Sequence, residues 1–190
     1  MLLAILGPTG VGKSSLIQRL CSQSEATVLR SFTTRPPRSG GDLGRVSISP
    51  VAYRKLRQSG LLAIDSEIFG HRYGTMFEDI RAAVEDPSLV VVEWSVYNID
   101  VLERAAGREI ESVYLYPAHT GDLRLRLHAR DGSNPLSGRV IEAEREIWHF
   151  LNGELDVNRT RRQVKVHHDQ IALTYHNLMA ALDQIRTQEG

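Results

Sequence analysis

Eight residues near the start of the chain have the types and the spacing of a phosphate-binding loop. They follow the pattern Gly-x-x-x-x-Gly-Lys-Ser and are Gly7, Pro8, Thr9, Gly10, Val11, Gly12, Lys13 and Ser14. Glycines let such a backbone turn its N–H groups toward an anion at the start of a helix. We expect Lys13 to reach the β- and γ-phosphates of a nucleoside triphosphate, and the Ser14 hydroxyl to bind Mg²⁺. Ser15, the next residue, is included in this triphosphate site.

The elements around this loop are those that the motif requires. Residues 1–6 form a short apolar run, which predicts a buried parallel strand. After the loop, Leu16, Ile17 and Leu20 recur at helical spacing. A glycine-rich turn before an ordinary helix would explain the glycines alone. The order strand, loop and helix favours binding of a nucleoside triphosphate instead.

Strand and helix patterns alternate along the rest of the chain. The predicted strands are 1–6, 26–30, 89–95, 112–116 and 163–167, and the predicted helices are 14–22, 51–58, 76–85, 98–106, 120–128, 138–150 and 170–187. This alternation predicts a doubly wound α/β domain with a mainly parallel sheet.

Residues 31–75 interrupt the alternation. Prolines and glycines cluster in the first part of this region, and short apolar runs follow at 46–48 and 61–64. We therefore expect a small, partly β insertion rather than another strand and helix. A second polar stretch rich in helix breakers, 130–135, predicts a mobile lid.

The composition excludes several classes of protein. The chain has 190 residues, 42% of them hydrophobic, which suits one globular domain with a full core. Lysine plus arginine and aspartate plus glutamate number 23 each, so no net charge recruits nucleic acid or an anionic membrane. Cys21 is the single cysteine, which excludes an internal disulfide, and we expect it to be buried and unreactive. No run is long enough to span a membrane or to act as a signal peptide, so we expect a cytoplasmic protein.

A basic segment after the first helix indicates a second phosphate-binding site in addition to the loop. The motifs Asn-Lys-x-Asp and Asp-x-x-Gly of GTPases are absent from the chain. Instead, Arg35 and Arg38 flank two prolines, so a stiff turn holds two planar donor groups that suit phosphate. A solvated basic loop is the alternative.

These residues resemble the guanylate kinase family. Its acceptor motif S-x-T-T-R-x-P-R-x-G-E matches residues 31–40, and Gly41 replaces the final Glu. Residues 66–75 are similar to the family's A-E-V-F-G-N-Y-Y-G-T. Residues 126–146 look like its lid, followed by the pattern R-x-x-x-A-x-x-E. The resemblance implies one domain, with a core at 1–30, 76–125 and 140–190, an acceptor-binding insertion at 31–75 and a lid at 126–139.

The resemblance also implies roles for single residues. Arg35, Arg38 and Tyr73 would hold the phosphate of the acceptor. Ser31 and Thr75 would lie beside its base or sugar. Arg130 and Arg139 would close from the lid onto the transferring phosphoryl group, where they offset negative charge.

Two positions depart from the family pattern. Guanylate kinases read guanine chiefly with two acidic side chains, and Ile64 and Ser95 occupy those positions here. The segment Gly41–Ser49 is also two residues shorter than in the family and carries Arg45 nearby, so the family's tyrosine after G-x-D goes unmatched. Ribose 1,5-bisphosphate phosphokinases, which are guanylate kinase-like, share several of these departures.

Two further groups of residues require an interpretation. Glu93 ends the apolar strand after the insertion, and we place it among the substrate-binding residues. It would either orient magnesium or make a structural hydrogen bond. His167, His168 and Asp169 resemble a metal cluster, but neighbours on a strand face opposite ways. We expect a strand end there, with Asp169 as the N-cap of the last helix.

The sequence therefore predicts an ATP-dependent kinase that uses Mg²⁺ and phosphorylates the phosphate of a small acceptor. GMP is the first candidate, and ribose 1,5-bisphosphate or another phosphorylated metabolite is the alternative. The expected partner is this small molecule, not nucleic acid or a membrane, and the oligomeric state stays open. A non-catalytic guanylate kinase-like binding module is a rival from another class, although such modules commonly lose the lysine that Lys13 represents.

Overall fold

The structure is a computed structural model that describes residues 1–23, 26–37, 42–131, 138–155 and 162–188. For Arg130, Asp131 and Gln188 it describes the backbone alone. The strands are β1 Leu2–Leu6, β2 Thr27–Val28, β3 Ser31–Thr33, β4 Arg45–Ser47, β5 Leu62–Ile68, β6 His71–Met76, β7 Val90–Glu93, β8 Glu111–Pro117 and β9 Arg162–Val166. The helices are α1 Lys13–Gln23, α2 Pro50–Gln58, α3 Phe77–Glu85, α4 Ile99–Ala106, α5 Thr120–Asp131, α6 Gly138–Leu151 and α7 Ile171–Gln188, with a 3₁₀ turn at Val96–Asn98.

A five-stranded sheet carries the phosphate-binding loop. Its strand order is β2-β7-β1-β8-β9, and both β2 with β7 and β8 with β9 pair in parallel. β1 is the central strand, and its residues from Leu3 to Leu6 are fully buried. Helices follow β1, β7 and β8 along the chain, as parallel connections require. The predicted α/β fold with a mainly parallel sheet is confirmed.

The predicted insertion contains a second sheet. Its four strands have the order β4-β3-β6-β5, with β3 parallel to β4 and β6 antiparallel to both β3 and β5. Helix α2 connects β4 to β5, with Pro50 in its first turn. The Ser49 side chain caps this helix by accepting a hydrogen bond from the Ala52 N–H. The sequence indicated β4 and part of β5, whereas β3 and β6 are too polar to read as strands.

The chain forms two compact units. The first contains Met1–Leu3, Gln18–Val92 and Ile99–Ile110. The second contains Ala4–Ile17, Glu93–Asn98 and Glu111–Gly190. The four-stranded sheet belongs to the first unit, and the phosphate-binding loop with Glu93 belongs to the second.

Several element boundaries differ from their predictions. β7 ends at Glu93, because the chain then enters the 3₁₀ turn, where the Asn98 N–H donates to the Ser95 carbonyl. α5 continues to Asp131, so Arg130 lies in a helix rather than in the predicted loop. α7 begins at Ile171, and the carbonyl of Gln170 accepts its first hydrogen bond. The N-cap is thus Gln170, and the prediction of Asp169 was wrong by one residue.

Two features of the described residues bear on the classes of protein considered above. Among the helices of this part of the chain, none combines the length and the apolar character needed to cross a bilayer. Within the same residues, no three histidine, cysteine, aspartate or glutamate side chains are grouped so that they could hold a metal ion. Cys21 is half-buried rather than buried, and burial raises the pKa of its thiol.

Candidate active site

The phosphate-binding loop depends on glycine at its first position. Gly7 has φ of 131°, a conformation that side chains on L-residues rarely adopt. A Cβ at this position would lie 2.3 Å from the carbonyl oxygen of Leu115 on β8. Any other residue would therefore displace the loop from the strand beside it.

Lys13 folds back onto the loop that precedes it. Its side chain is buried, and Nζ donates hydrogen bonds to the carbonyls of Gly7 at 2.6 Å and Pro8 at 3.0 Å. Nζ also lies 3.8 Å from Glu93 Oε1. The lysine is therefore held at the loop by the two carbonyls on one side and by Glu93 on the other.

Glu93 links the end of β7 to the start of α1. The Ser14 hydroxyl donates a hydrogen bond to Glu93 Oε2 at 2.9 Å. A hydroxyl beside a carboxylate offers two oxygen donors, and Mg²⁺ prefers oxygen ligands. The donor set at Ser14 and Glu93 thus fits a magnesium ion, and it also includes the structural hydrogen bond that the sequence left open. Ser15, next on α1, is exposed.

A second carboxylate, Glu146, lies close enough to Lys13 for the charge of the lysine to influence its pKa. It accepts a hydrogen bond at 3.1 Å from the hydroxyl of Tyr114, a buried residue of β8. Burial raises the pKa of Glu146, although the charge of Lys13 and the hydrogen bond from Tyr114 oppose the shift. Sequence reasoning assigned Glu146 no role, although it ends the pattern R-x-x-x-A-x-x-E.

Arg126 is a second residue near the loop that the sequence did not single out. A Cβ built on Gly12 would lie 3.9 Å from Arg126 Nη2, so the guanidinium lies beside the loop. Its Nη1 contacts His168 Nδ1. Burial, together with the charge of Arg126, lowers the pKa of His168. His168 thus helps to orient an arginine.

Ser31, Tyr73 and Thr75, which the sequence predicts to bind the acceptor, share one face of the four-stranded sheet. Thr33 pairs with Tyr73, so these two side chains point to the same side. Alternation along each strand places Ser31 on the side of Thr33, and Thr75 on the side of Tyr73. Thr75 in turn pairs with Ile64, which is buried. The structure thus brings together three predicted acceptor residues and the isoleucine that replaces a guanine-reading acid. We call this side the acceptor face.

The nearby carboxylates Asp65 and Glu67 point to the opposite face. The buried Tyr53 of α2 donates a hydrogen bond to Asp65 Oδ1 at 2.9 Å. Arg57 Nε lies 2.7 Å from Asp65 Oδ2, and Arg72 Nη2 lies 3.0 Å from Glu67 Oε2. Burial and the hydrogen bond to Asp65 both raise the pKa of Tyr53. Asp65 therefore connects the sheet to α2, and Glu67 pairs with Arg72. Both carboxylates lie on the side of the sheet away from the acceptor face.

Arg35 is buried and paired. Its Nη2 donates to Asp42 Oδ1 at 2.5 Å, and its backbone N–H donates to Thr33 Oγ1 at 3.1 Å. The Arg35 Nε is buried, and it has no hydrogen-bond partner among the residues that the structure describes. Asp42 follows Gly41, where the family motif has glutamate, so a carboxylate is supplied from one position later. A buried arginine with donors to spare suits the binding of an anion.

Four further residues were considered in the sequence. Arg38 lies outside the described residues, and for Arg130 only the backbone in the last turn of α5 is described. Arg139 is half-buried in the first turn of α6. Ser95 is half-buried beyond the end of β7.

Comparisons with known proteins agree on a family. The guanylate kinase family profile matches residues 1–184. A guanylate kinase of Deinococcus radiodurans is 33% identical over 77% of this chain and 63% of its own length. One of Maricaulis maris is 34% identical over 79% of this chain and 71% of its own. The crystal structure of guanylate kinase from Anaplasma phagocytophilum is 17% identical, with a TM-score of 0.67 over 97% of this chain and 85% of that one. This chain belongs to the guanylate kinase family and has the fold of a P-loop kinase.

Proposed function

We propose that this chain is an ATP-dependent kinase that transfers the γ-phosphoryl group of ATP to the phosphate of a nucleoside monophosphate, with GMP as the first candidate. The observation that carries the proposal is the contact of Glu93 with both Lys13 and Ser14. A lysine, a hydroxyl and a carboxylate at one phosphate-binding loop are the parts needed to hold a triphosphate with a divalent cation. A loop that only ended a strand would need none of them.

The donor residues would act by position and charge. Lys13 would bind the β- and γ-phosphates, and Ser14 and Glu93 would hold Mg²⁺. When bound, Mg²⁺ offsets the negative charge of the phosphates. We propose that Arg130 and Arg139 contact the transferring phosphoryl group, where charge spreads over its oxygens. The transfer would involve no covalent intermediate on the protein.

The acceptor residues would capture a phosphate and hold what it is attached to. Arg35, Arg38 and Tyr73 would bind the phosphate, and Ser31 and Thr75 would lie beside the base or sugar. The buried ion pair of Arg35 with Asp42 supports the role of Arg35, because it fixes the guanidinium before any ligand arrives.

One observation favours a second candidate acceptor. Ile64 is buried on the acceptor face beside Thr75, and it cannot accept a hydrogen bond from guanine. A phosphorylated sugar such as ribose 1,5-bisphosphate makes no such demand. The non-catalytic binding module gains no support, since Lys13 and Ser14 are both present and both contact Glu93. The cytoplasmic location stays a prediction.

A panel of acceptors tests the proposal. ADP release from MgATP would be measured with GMP, dGMP, AMP, UMP and ribose 1,5-bisphosphate, and without acceptor. We expect acceptor-dependent turnover, with GMP among the substrates. ADP release that no acceptor stimulates would contradict the proposed reaction. Turnover with ribose 1,5-bisphosphate alone would mean that the acceptor is a phosphorylated sugar and not a nucleoside monophosphate.

A further inference from the structure

Arg45 lies on the acceptor face, in the row of residues that includes Ser31. β3 and β4 pair in parallel, and Arg45 is the register partner of Ser31. Register partners in neighbouring strands point to the same side of a sheet. Arg45 is therefore on the side of Ser31, Tyr73 and Thr75, at the end of the face where the base or sugar of the acceptor is proposed to lie.

The backbone before Arg45 is fixed by a close approach. Gly44 has φ of 68°, and a Cβ on it would lie 2.5 Å from Val28 Cγ1 and 2.9 Å from the Leu29 carbonyl oxygen. The Ser31 N–H donates to the Gly44 carbonyl at 2.8 Å, and the Arg45 N–H donates to the Asp42 carbonyl at 3.0 Å. Glycine is thus required at 44, and the turn places Arg45 beside Ser31.

The strands of the acceptor face carry nitrogen donors and no carboxylate. Register and alternation place Arg45 and His71 on this side of β3 to β6, and place Asp65 and Glu67 on the other. Carboxylates would accept hydrogen bonds from the N1–H and the amine of guanine. An arginine can only donate, so it suits a different edge of the base.

We propose that Arg45 determines acceptor specificity by donating both arms of its guanidinium to O6 and N7 of a 6-oxopurine base. This pair of acceptor atoms is the one that arginine most often reads in guanine. The inference rests on the proposed phosphotransfer and names how its acceptor is recognised. In the family pattern, two carboxylates accept hydrogen bonds from the N–H groups of guanine, and Ile64 and Ser95 occupy those two positions here. Arg45 would instead donate hydrogen bonds to the acceptor atoms of the base.

Recognition by Arg45 and recognition by carboxylates predict different orders of kcat/KM for GMP, IMP and AMP. Hypoxanthine keeps O6 and N7 but lacks the amine of guanine, whereas adenine has an amine donor in place of O6. We therefore expect kcat/KM for GMP and IMP to agree within about fivefold, and the value for AMP to be lower by about tenfold or more. A site that read the guanine amine would reject IMP, since its own acceptor would be left unpaired.

Variants of Arg45 test the residue directly. Arg45→Gln should raise KM for GMP and IMP by about tenfold and bring kcat/KM for GMP close to that for AMP, because the fork is lost. KM for ATP should stay unchanged. Arg45→Lys keeps the charge without the paired geometry and should fall short of full activity on GMP. Arg54→Gln, on the exposed side of α2, is the matched control and should behave as the unmodified protein.

Other results of these experiments would contradict either the role of Arg45 or the proposed function. An unchanged ratio of GMP to AMP in Arg45→Gln would overturn the role of Arg45 while leaving the phosphotransfer intact. Strong rejection of IMP, or preference for ribose 1,5-bisphosphate over every nucleotide, would overturn the 6-oxopurine assignment. If no acceptor is turned over, the proposed function fails. Calorimetric titration of GMP, IMP and AMP into the protein and into Arg45→Gln then tests the inference alone, and equal binding of all three nucleotides would overturn it.

Discussion

The Ser14 hydroxyl donates to Glu93 at 2.9 Å, across 79 positions of the chain, and so joins the helix after the phosphate-binding loop to the end of β7. The same carboxylate lies 3.8 Å from Lys13 Nζ. Glu93 therefore contacts both side chains that the loop motif is expected to contribute to the binding of a magnesium triphosphate. Its position depends on the pairing of strands, not on sequence proximity to the loop.

Glu93→Gln should raise the Mg²⁺ concentration needed for half-maximal activity. The amide keeps the size of the side chain but removes its charge, and residues that hold or orient metal ligands commonly contribute about 10- to 100-fold in metal affinity. Titration of activity with Mg²⁺ at saturating ATP would measure the change. Glu85→Gln, an exposed substitution on α3, is the control. An unaltered Mg²⁺ requirement would leave Glu93 with only its structural hydrogen bond.

Lys13→Ala should lower kcat by about 100-fold or more, since removal of one preorganised charge-stabilising donor commonly has this effect. The fold should persist, because the loop keeps its glycines and β1 its buried residues. Circular dichroism would verify folding, and ADP release would report kcat. Lys55→Ala, on the exposed surface of α2, should retain full activity. Equal turnover by the two variants would contradict the assignment of the donor site.

Asp42→Asn should destabilise the protein and weaken acceptor binding together. It leaves the buried Arg35 without its partner charge, and breaking a buried ion pair commonly costs about 3 kcal/mol. Urea denaturation would give the free energy of unfolding, and initial rates would give KM for the acceptor. Asp100→Asn removes the exposed pair with Arg104 and should change neither quantity measurably. If Asp42→Asn behaves as this control does, Arg35 does not depend on Asp42.

The parts of the site that local sequence determines could be predicted. The loop from Gly7 to Ser14 is a continuous motif, and the short apolar run before it predicts a buried strand. The acceptor residues Arg35 and Tyr73 could be named because a family motif surrounds each of them. The placement of Ser31 and Tyr73 on one face needed the pairing of β3 with β6.

The rest of the site arises from contacts distant in sequence. Arg126 lies beside Gly12 through the packing of α5, and Arg45 faces the acceptor side through the register of β4 with β3. Such relationships leave no periodic signal in the sequence, since each depends on one pair of elements.

Glu146→Gln should change how the stability of the protein depends on pH. Burial raises the pKa of Glu146 above the value of about 4.3 that a glutamate has in an unfolded chain. Between these two values the folded state holds a proton that the unfolded state has released, so the free energy of unfolding falls as pH rises through this window. The repulsion of Glu142 adds to the shift, and the charge of Lys13 reduces it.

Because glutamine does not titrate, the Glu146→Gln variant should lack this fall in the free energy of unfolding with rising pH. The free energy of unfolding of Glu146→Gln relative to the unmodified protein should therefore increase as pH is raised from about 4 toward neutrality, whatever its sign at the start. Urea denaturation at several pH values would measure the difference. Glu85→Gln, exposed on α3, is the control for replacing a glutamate by glutamine. A difference for Glu146→Gln that stays constant over this pH range would mean that Glu146 titrates alike in the folded and unfolded chains, and that burial beside Tyr114 does not hold its proton.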